Sequence, residues 1–241
     1  GRDGVGAGSG RGGGGVRMGG QLRGGLVTGG GGVECGGGAS LPRVAALAAE
    51  AGLSGLEPLS GIPGTMGGAV AMNAGAWGTA IGDLIEQVEV CLPGDCRRFD
   101  AEALEFSYRG SVLPAGSAVS RVTLTLTPGA PEVIRASMAE YRDRRQGSQP
   151  IGKRTCGSVF KNPAGGRGAG VLLEGAGCKG ILVGQASVST THANFIINRG
   201  GATTADVVVL MDECRRRVWE KFSITLEPEV RFLGGIGLKP L

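Results

Sequence analysis

Apolar residues recur along the chain at the spacings that strands and helices require. Between residues 120 and 127, valine and leucine alternate with serine, arginine and threonine, and this period of two predicts a half-buried strand. Further strands are predicted over 195–197 and over 225–232, the second at a sheet edge and interrupted by Pro228.

Helices are predicted where apolar residues recur every three or four positions behind a capping residue. One follows Ser40, one opens at Pro131, and a long one follows Thr203 or Thr204. A short helix is predicted near 171–174.

Glycine sets the start of the chain apart. Of the 49 glycines, 20 lie within residues 1–38, where the runs 12–15 and 29–32 stand in place of strand residues. We expect this head to be degenerate and poorly packed. Separated helices and strands indicate an α+β protein, with one domain over 1–130 and a second over 131–241.

Charge, hydropathy and cysteine usage argue against several classes of protein and of binding site. The net charge of +4 from 25 basic and 21 acidic residues fixes no partner. No run of 18 apolar residues and no basic leader occur, so neither a membrane span nor a secretory signal is predicted. The six cysteines lack paired spacing, which predicts mostly reduced core residues and no metal site. A formal G-x-G-x-x-G at 8–13 follows no apolar strand and indicates no dinucleotide site.

The polar segment 155–163 carries the most informative chemistry. Gly157 precedes Ser158 and leaves room for a ligand to approach the hydroxyl, while Lys161 and Asn162 could hold an anionic, hydroxylated substrate. The alternative is a turn that leads into a strand and exposes an ordinary serine.

Two glycine-dense turns, 61–69 and 72–78, flank a short run of small residues. Such turns leave backbone N–H groups bare, which suits a phosphate or a flat ring. A buried crossing where only small residues fit explains the same composition.

Seven segments, in this order, resemble the UDP-N-acetylenolpyruvoylglucosamine reductase (MurB) family. They are Gly61-Ile62-Pro63-Gly64-Thr65-Met66-Gly67-Gly68-Ala69, Asn73-Ala74-Gly75-Ala76, Tyr108-Arg109, Gln149-Pro150, Gly157-Ser158-Val159-Phe160-Lys161-Asn162-Pro163, His192-Ala193-Asn194-Phe195 and Leu226-Glu227-Pro228-Glu229-Val230. The resemblance is to the type II form, because the serine segment follows Tyr108 and Arg109 with no room for the type I insertion.

The resemblance implies an FAD-binding domain of the vanillyl-alcohol-oxidase type, followed by a substrate-binding α/β domain. It implies tightly bound FAD, NADPH as reductant, and reduction of UDP-N-acetylglucosamine enolpyruvate to UDP-N-acetylmuramate for peptidoglycan synthesis. A cytoplasmic monomer without nucleic-acid or membrane partners is expected.

The resemblance also implies roles for individual residues. Arg109 and Glu229 would hold and polarise the substrate carboxylate, and Ser158 would deliver a proton. The implied substrate contacts are Tyr108, Lys153, Lys161, Asn162 and His192. The implied cofactor contacts are Gly61, Ile62, Pro63, Gly64, Thr65, Gly67, Gly68, Ala69, Asn73 and Gly75. Read from the residues alone, Arg109 caps a turn, and His192 is equally well a satisfied structural residue.

The family's first pyrophosphate loop is expected immediately before Arg2, so the FAD-binding domain is expected to be truncated at its N-terminus. Two other functions stay open. One is an alcohol oxidase of the same flavin fold, and the other is a catalytically impaired fragment without a working flavin site.

Overall fold

The computed structural model of the protein describes residues 25–27, 32–232 and 238. The chain divides into two compact units, one ending at Arg144 and the other continuing from Arg145. This division falls inside the helix Pro131–Ser148. The domain boundary predicted between residues 130 and 131 lies at the start of that helix and stays a prediction.

The first unit is built on a five-stranded antiparallel sheet. Its elements are β1 (Gly25–Val27), β2 (Gly32–Gly36), α1 (Leu41–Glu50), β3 (Leu53–Ser54), α2 (Met66–Ala71), β4 (Gly75–Ala76), β5 (Thr79–Ala80), β6 (Ile85–Leu92), β7 (Asp95–Asp100), β8 (Ala118–Thr125), β9 (Thr127–Pro128) and α3 (Pro131–Ser148). The strand order in the sheet is β1-β2-β8-β6-β7. Short pairs β3-β9 and β4-β5 lie outside it.

The predicted strand and helices of this unit are confirmed. In β8, Val122 and Leu124 are fully buried, and both belong to one apolar cluster with Val44 and Ala48 of α1. Ser40 adopts the extended backbone of an N-cap residue immediately before α1, but the expectation of a side-chain cap is wrong, because the Ser40 side chain makes no capping hydrogen bond.

The expectation that glycine runs replace the strands of the head is wrong for β2. This strand pairs with β8 along its whole length, from Gly32 to Gly36. Glycines still supply the N–H and C=O groups of a ladder, and Val33 and Cys35 supply buried side chains. The G-x-G-x-x-G match at 8–13, the glycine run at 12–15 and residues 29–31 of the second run lie outside the described residues.

The second unit is a four-stranded antiparallel sheet with two helices. Its elements are β10 (Thr155–Ser158), α4 (Ala169–Gly175), β11 (Leu182–Val183), β12 (Ala186–Val188), β13 (Phe195–Asn198) and α5 (Thr204–Phe222). The strand order is β10-β13-β12-β11. Val188 and Ile196 share an apolar cluster with Leu172 of α4 and Leu210 of α5.

Helix α5 begins with a reciprocal cap, which confirms the helix predicted after Thr203. The Asp206 N–H donates to Thr203 Oγ1 at 3.1 Å, and the Thr203 N–H donates to Asp206 Oδ2 at 2.9 Å. Two of the orphan N–H groups at the helix start are thereby satisfied.

Two expectations need correction. The segment 225–232 is not a regular strand, because its pairing is an isolated bridge between Phe160 and Pro228 and proline cannot donate to a ladder.

Cys91 and Cys96 face each other across β6 and β7 and form a disulfide. Among the free cysteines of the described residues, three are buried and one is exposed. No helix in the described ranges is long and apolar enough to cross a bilayer.

Candidate active site

Ser158 lies at the end of β10, where that strand departs from regular pairing. Thr155 pairs with Ile197 and Ser158 with Phe195, so β10 carries one extra residue against β13. At this irregularity Gly157 has a φ of +84°, a backbone conformation that residues with a Cβ atom rarely adopt. Such a bulge redirects the next side chain, and Ser158 is half-buried.

Buried Asn194 fixes the backbone that follows Ser158. Its Oδ1 accepts the Phe160 N–H at 2.9 Å, and its Nδ2 donates to the Phe160 carbonyl at 2.8 Å. The Val159 N–H also donates to the Asn194 carbonyl. The sequence analysis assigned no role to Asn194. Its position between the apolar residues Ala193 and Phe195 was the available signal, because a polar residue that is buried with apolar neighbours is normally hydrogen-bonded.

The structure brings Glu229 to the backbone beside Ser158. The Glu229 N–H donates to the Val159 carbonyl at 2.8 Å. Glu227 lies on the other side of Pro228, and its side chain is 73% exposed and paired with Lys161 at 3.4 Å. The Glu227 carbonyl also accepts the Lys161 N–H at 2.9 Å, so the backbone on both sides of Pro228 bonds the segment that follows Ser158.

Arg215 of α5 anchors the segment that leads to Glu229. Its Nε donates to the Leu226 carbonyl at 3.2 Å, and its Nη1 lies 3.5 Å from Asp212 Oδ1. The arginine is only 8% exposed and Leu226 is fully buried. Sequence reasoning did not single out Arg215.

Two predicted substrate contacts make structural bonds in this unit. Asn162 Oδ1 accepts the Ala169 N–H at 2.9 Å, at the first residue of α4. His192 Nδ1 accepts the Asn194 N–H at 3.1 Å, and its ring meets Phe195 edge-on with centroids 5.0 Å apart. Partial burial, and secondarily the charge of Lys179, lower the pKa of His192.

The predicted residues Tyr108 and Arg109 belong to the first unit and form the tip of a tight turn. Ser107 and Gly110 exchange two backbone hydrogen bonds, of 3.0 and 3.2 Å, across the turn. Arg109 has a φ of +59°, and its guanidinium carbon lies 5.1 Å from the Tyr108 ring centroid. Left-handed backbone at a non-glycine residue costs free energy and is concentrated at functional sites.

The predicted cofactor segment surrounds α2. Thr65 caps α2, because its Oγ1 accepts the Gly68 N–H at 3.2 Å. The loop before the helix consists of Gly61, Ile62, Pro63 and Gly64. The helix itself contains Gly67, Gly68 and Ala69, and it is followed by Asn73 and Gly75. A Cβ at Gly67 would lie 3.0 Å from the Gly37 carbonyl oxygen, so close packing explains this glycine. At Gly64 an added Cβ would meet no described atom within 4 Å.

Asn73 links this segment to the turn that carries Arg109. Its Oδ1 accepts the Gly82 N–H at 3.0 Å, and its Nδ2 donates to the Ser107 carbonyl at 2.9 Å. The oxygen and the nitrogen of the Asn73 carboxamide therefore each hold one backbone segment in place. Within the described residues, no cluster of three or more His, Cys, Asp or Glu side chains could hold a metal ion.

Comparison with known proteins defines the class to which these two units belong. Residues 2–98 match the family model described as an FAD binding domain. Residues 149–233 match the model of the C-terminal domain of UDP-N-acetylenolpyruvoylglucosamine reductase. The chain thus has the domain order of a flavin-binding reductase, as the sequence predicted.

Individual relatives agree with these matches. The UDP-N-acetylenolpyruvoylglucosamine reductase of Granulibacter bethesdensis is 46% identical over 173 residues, which are 72% of this chain and 56% of the relative. That of Heliobacterium modesticaldum is 47% identical over 178 residues, 73% of this chain and 57% of the relative. The chain therefore spans just over half the length of these curated relatives.

A solved structure covers more of the chain. The crystal structure of UDP-N-acetylenolpyruvylglucosamine reductase from Thermus caldophilus has a TM-score of 0.74 and 42% sequence identity, covering 87% of this chain and 72% of that one. The chain belongs to the UDP-N-acetylenolpyruvoylglucosamine reductase family. The family resemblance and the α+β fold predicted from the sequence are confirmed.

Proposed function

We propose that the chain catalyses the NADPH-dependent, FAD-mediated reduction of UDP-N-acetylglucosamine enolpyruvate to UDP-N-acetylmuramate, a step of peptidoglycan precursor synthesis. The observation that carries the proposal is the hydrogen bond from the Glu229 N–H to the Val159 carbonyl. It joins the Ser158 segment to the Glu229 segment, the two segments of the second unit with proposed catalytic residues.

The first unit fits the cofactor of this reaction. The open backbone surface at Gly64 suits close approach of a ligand, and residues 2–98 match an FAD-binding family model. We propose that the group is held by Gly61, Ile62, Pro63, Gly64, Thr65, Gly67, Gly68, Ala69, Asn73 and Gly75. When bound, FAD supplies the hydride that reduces the enolpyruvyl double bond.

The protein's own groups handle the charge and the proton. Arg109 pairs with the substrate carboxylate, and Glu229 helps to hold and polarise it. Both interactions stabilise the negative charge that develops towards this carboxylate during reduction. Ser158 donates a proton to the carbon that bears the carboxylate. Serine is a weak acid, so its contribution depends on fixed position, which the bulge of β10 and Asn194 support.

The remaining proposed contacts bind the nucleotide-sugar part of the substrate. Lys153 and Lys161 carry the cations for its diphosphate, and Tyr108, Asn162 and His192 supply apolar and hydrogen-bonding surface. Since Lys161 pairs with Glu227, its contact requires exchange of that partly exposed ion pair. We further propose that the protein acts as a cytoplasmic monomer without nucleic-acid or membrane partners.

A matched pair of variants tests the function. The parent should turn over NADPH continuously only when the enolpyruvyl substrate is present, and Glu229→Gln should reduce kcat by about 10²–10³-fold because a transition-state contact is altered. Glu227→Gln should change kcat little, because exposed ion pairs contribute little. Thermal melts of both variants exclude unfolding.

The same assay discriminates among the functions. Oxygen consumption with an added alcohol, without NADPH or the enolpyruvyl substrate, would indicate the alcohol oxidase. Absence of turnover in protein saturated with FAD would indicate an impaired fragment. Greater loss in Glu227→Gln than in Glu229→Gln would reverse the residue assignment.

A further inference from the structure

A basic cavity of about 550 Å³ opens at one end of the sheet in the second unit. Its lining includes Lys153, Arg154 and Arg199, together with the Ser187 hydroxyl and the Asn198 carboxamide. Arg154 immediately precedes β10, Ser187 lies in β12, and Asn198 ends β13. Three neighbouring strands thus contribute polar groups to one opening.

The backbone of this cavity is fixed by hydrogen bonds. The Asn198 N–H donates to the Arg154 carbonyl at 2.8 Å, and the Arg199 N–H donates to the Gln185 carbonyl at 3.0 Å. The Asn198 side chain is also oriented, because its Oδ1 accepts the N–H groups of Gly200 and Ala202 at 2.9 and 3.1 Å. With the oxygen engaged, the NH₂ end of the carboxamide is the group that can bind a ligand.

The cations of this cavity differ from other surface cations of the same unit. Lys179 pairs with Glu174, and Arg216 pairs with Glu213 and Glu220. No ion pair among the described residues involves Lys153, Arg154 or Arg199. The cavity therefore presents three positive charges without a neutralising carboxylate in the part of the chain that the structure describes.

The chemistry of the lining selects the ligand. Ammonium, guanidinium and carboxamide NH₂ groups are all donors, and a hydroxyl can donate as well. Two guanidinium groups can each bind a phosphate through two parallel hydrogen bonds, an arrangement that a single lysine does not offer. A neutral or cationic ligand would leave these charges uncompensated.

We propose that this cavity is a phosphate-binding site in which Arg154, Arg199 and Asn198 act together with Lys153. The inference rests on the proposed function, whose substrate contains a diphosphate and whose reductant carries a 2′-phosphate. It adds two arginines and an asparagine to the residues that hold a phosphorylated ligand. Either compound, or free phosphate, provides the group that the cavity recognises.

Calorimetric titration of the full chain at low ionic strength tests the site. The ligands are inorganic phosphate, uridine diphosphate, NADP⁺ and NAD⁺, and the variants are Arg154→Gln and Arg199→Gln. Each variant should weaken binding of the phosphate-bearing ligand about tenfold, as expected for loss of one charge-assisted contact. Arg216→Gln removes an equal charge outside the cavity and should change the affinity by less than about twofold.

The four ligands distinguish the source of the phosphate. Weakened uridine diphosphate binding identifies the substrate diphosphate, and weakening for NADP⁺ but not NAD⁺ identifies the 2′-phosphate. Weakening for inorganic phosphate alone identifies a free-phosphate site. Unchanged affinities in both variants, equal losses in Arg216→Gln, or no binding of any ligand by the parent would overturn the proposal.

Failure of this site and failure of the enzyme are separable, because the titration requires no turnover. An inactive chain whose cavity variants still lose affinity contradicts the proposed reaction alone. An active chain whose variants bind normally contradicts the phosphate site alone. Thermal melts establish that both cavity variants are folded, as expected for exposed side chains.

Discussion

Asn194 shows how much a single buried side chain contributes to this site. Its carboxamide bonds both the N–H and the C=O of Phe160, so Asn194→Ala leaves two buried backbone groups without partners. Each unsatisfied group costs about 1–3 kcal/mol. We expect urea denaturation to show a loss in the free energy of unfolding of at least that size, with slower turnover because Ser158 loses its support.

Asn198→Ala is the comparison for this effect. Asn198 also bonds two backbone groups, but it is only half-buried, so water can replace the carboxamide. The loss should stay below about 1 kcal/mol. Equal losses in the two variants would contradict the role given to burial at Asn194.

His192 makes one part of the pH dependence of stability measurable, since it is the single histidine of the sequence. Its pKa is lowered in the folded protein, first by burial and then by Lys179, with Glu174 opposing. The unfolded chain therefore takes up the proton at higher pH. The contribution of His192 to the free energy of unfolding is complete at pH values above its pKa in the unfolded chain, which is about 6.5. This contribution falls as the pH drops through that value and levels off below the pKa in the folded protein.

His192→Asn should remove this part of the pH profile, because asparagine can still accept the Asn194 N–H without titrating. Urea midpoints measured at about pH 7.5, 6.5 and 5.5 would show a decline in the parent that is smaller in the variant. Parallel profiles would show that the histidine does not titrate differently on unfolding.

At the scale of elements, the sequence predicted best what depends on local pattern. The helices α1, α3 and α5 follow from apolar spacing, with a side-chain cap at Thr203 for α5, and β8 follows from strict alternation. The hairpin of β6 and β7 was missed because most of β7 is exposed and charged, without an apolar alternation to detect. The Cys91–Cys96 disulfide follows from the register of that hairpin, which cysteine spacing does not encode.

Prediction of the candidate site had a similar limit. Family motifs named Ser158 and Glu229, but their proximity depends on contacts between segments about 70 residues apart. Asn162 and Asn73 stay proposed ligand contacts, and the structure adds that the side-chain oxygen of each fixes a backbone N–H. An asparagine that holds a loop and one that holds a ligand look alike in a single sequence.

Arg215 provides a prediction about the packing of α5 against the segment before Glu229. Arg215→Met keeps the apolar stem but leaves the Leu226 carbonyl without this donor. We expect a loss of about 1–3 kcal/mol in the free energy of unfolding and a lower kcat, because the Glu229 segment is held less firmly. Arg216→Met, which breaks exposed ion pairs, should cost at most about 1 kcal/mol. Similar melting temperatures for both variants would contradict the anchoring role.

At the scale of the whole molecule, each unit has an apolar cluster of its own. Leu124 is fully buried in the first cluster and Leu210 in the second. Replacing either by alanine removes transfer free energy and leaves a cavity, at a cost of about 2–5 kcal/mol. Since the two leucines share no cluster, their effects should add within about 0.5 kcal/mol.

Scanning calorimetry of Leu124→Ala, Leu210→Ala and the double variant would test whether these cores are energetically separate. We expect two transitions in the parent, with Leu124→Ala lowering the melting temperature of one and Leu210→Ala that of the other. Val209→Ala is the matched control beside Leu210, because Val209 is exposed and should change stability by less than about 0.5 kcal/mol. A single transition lowered equally by both leucine substitutions would mean that the two clusters unfold as one cooperative core, because each substitution would then act on the same equilibrium.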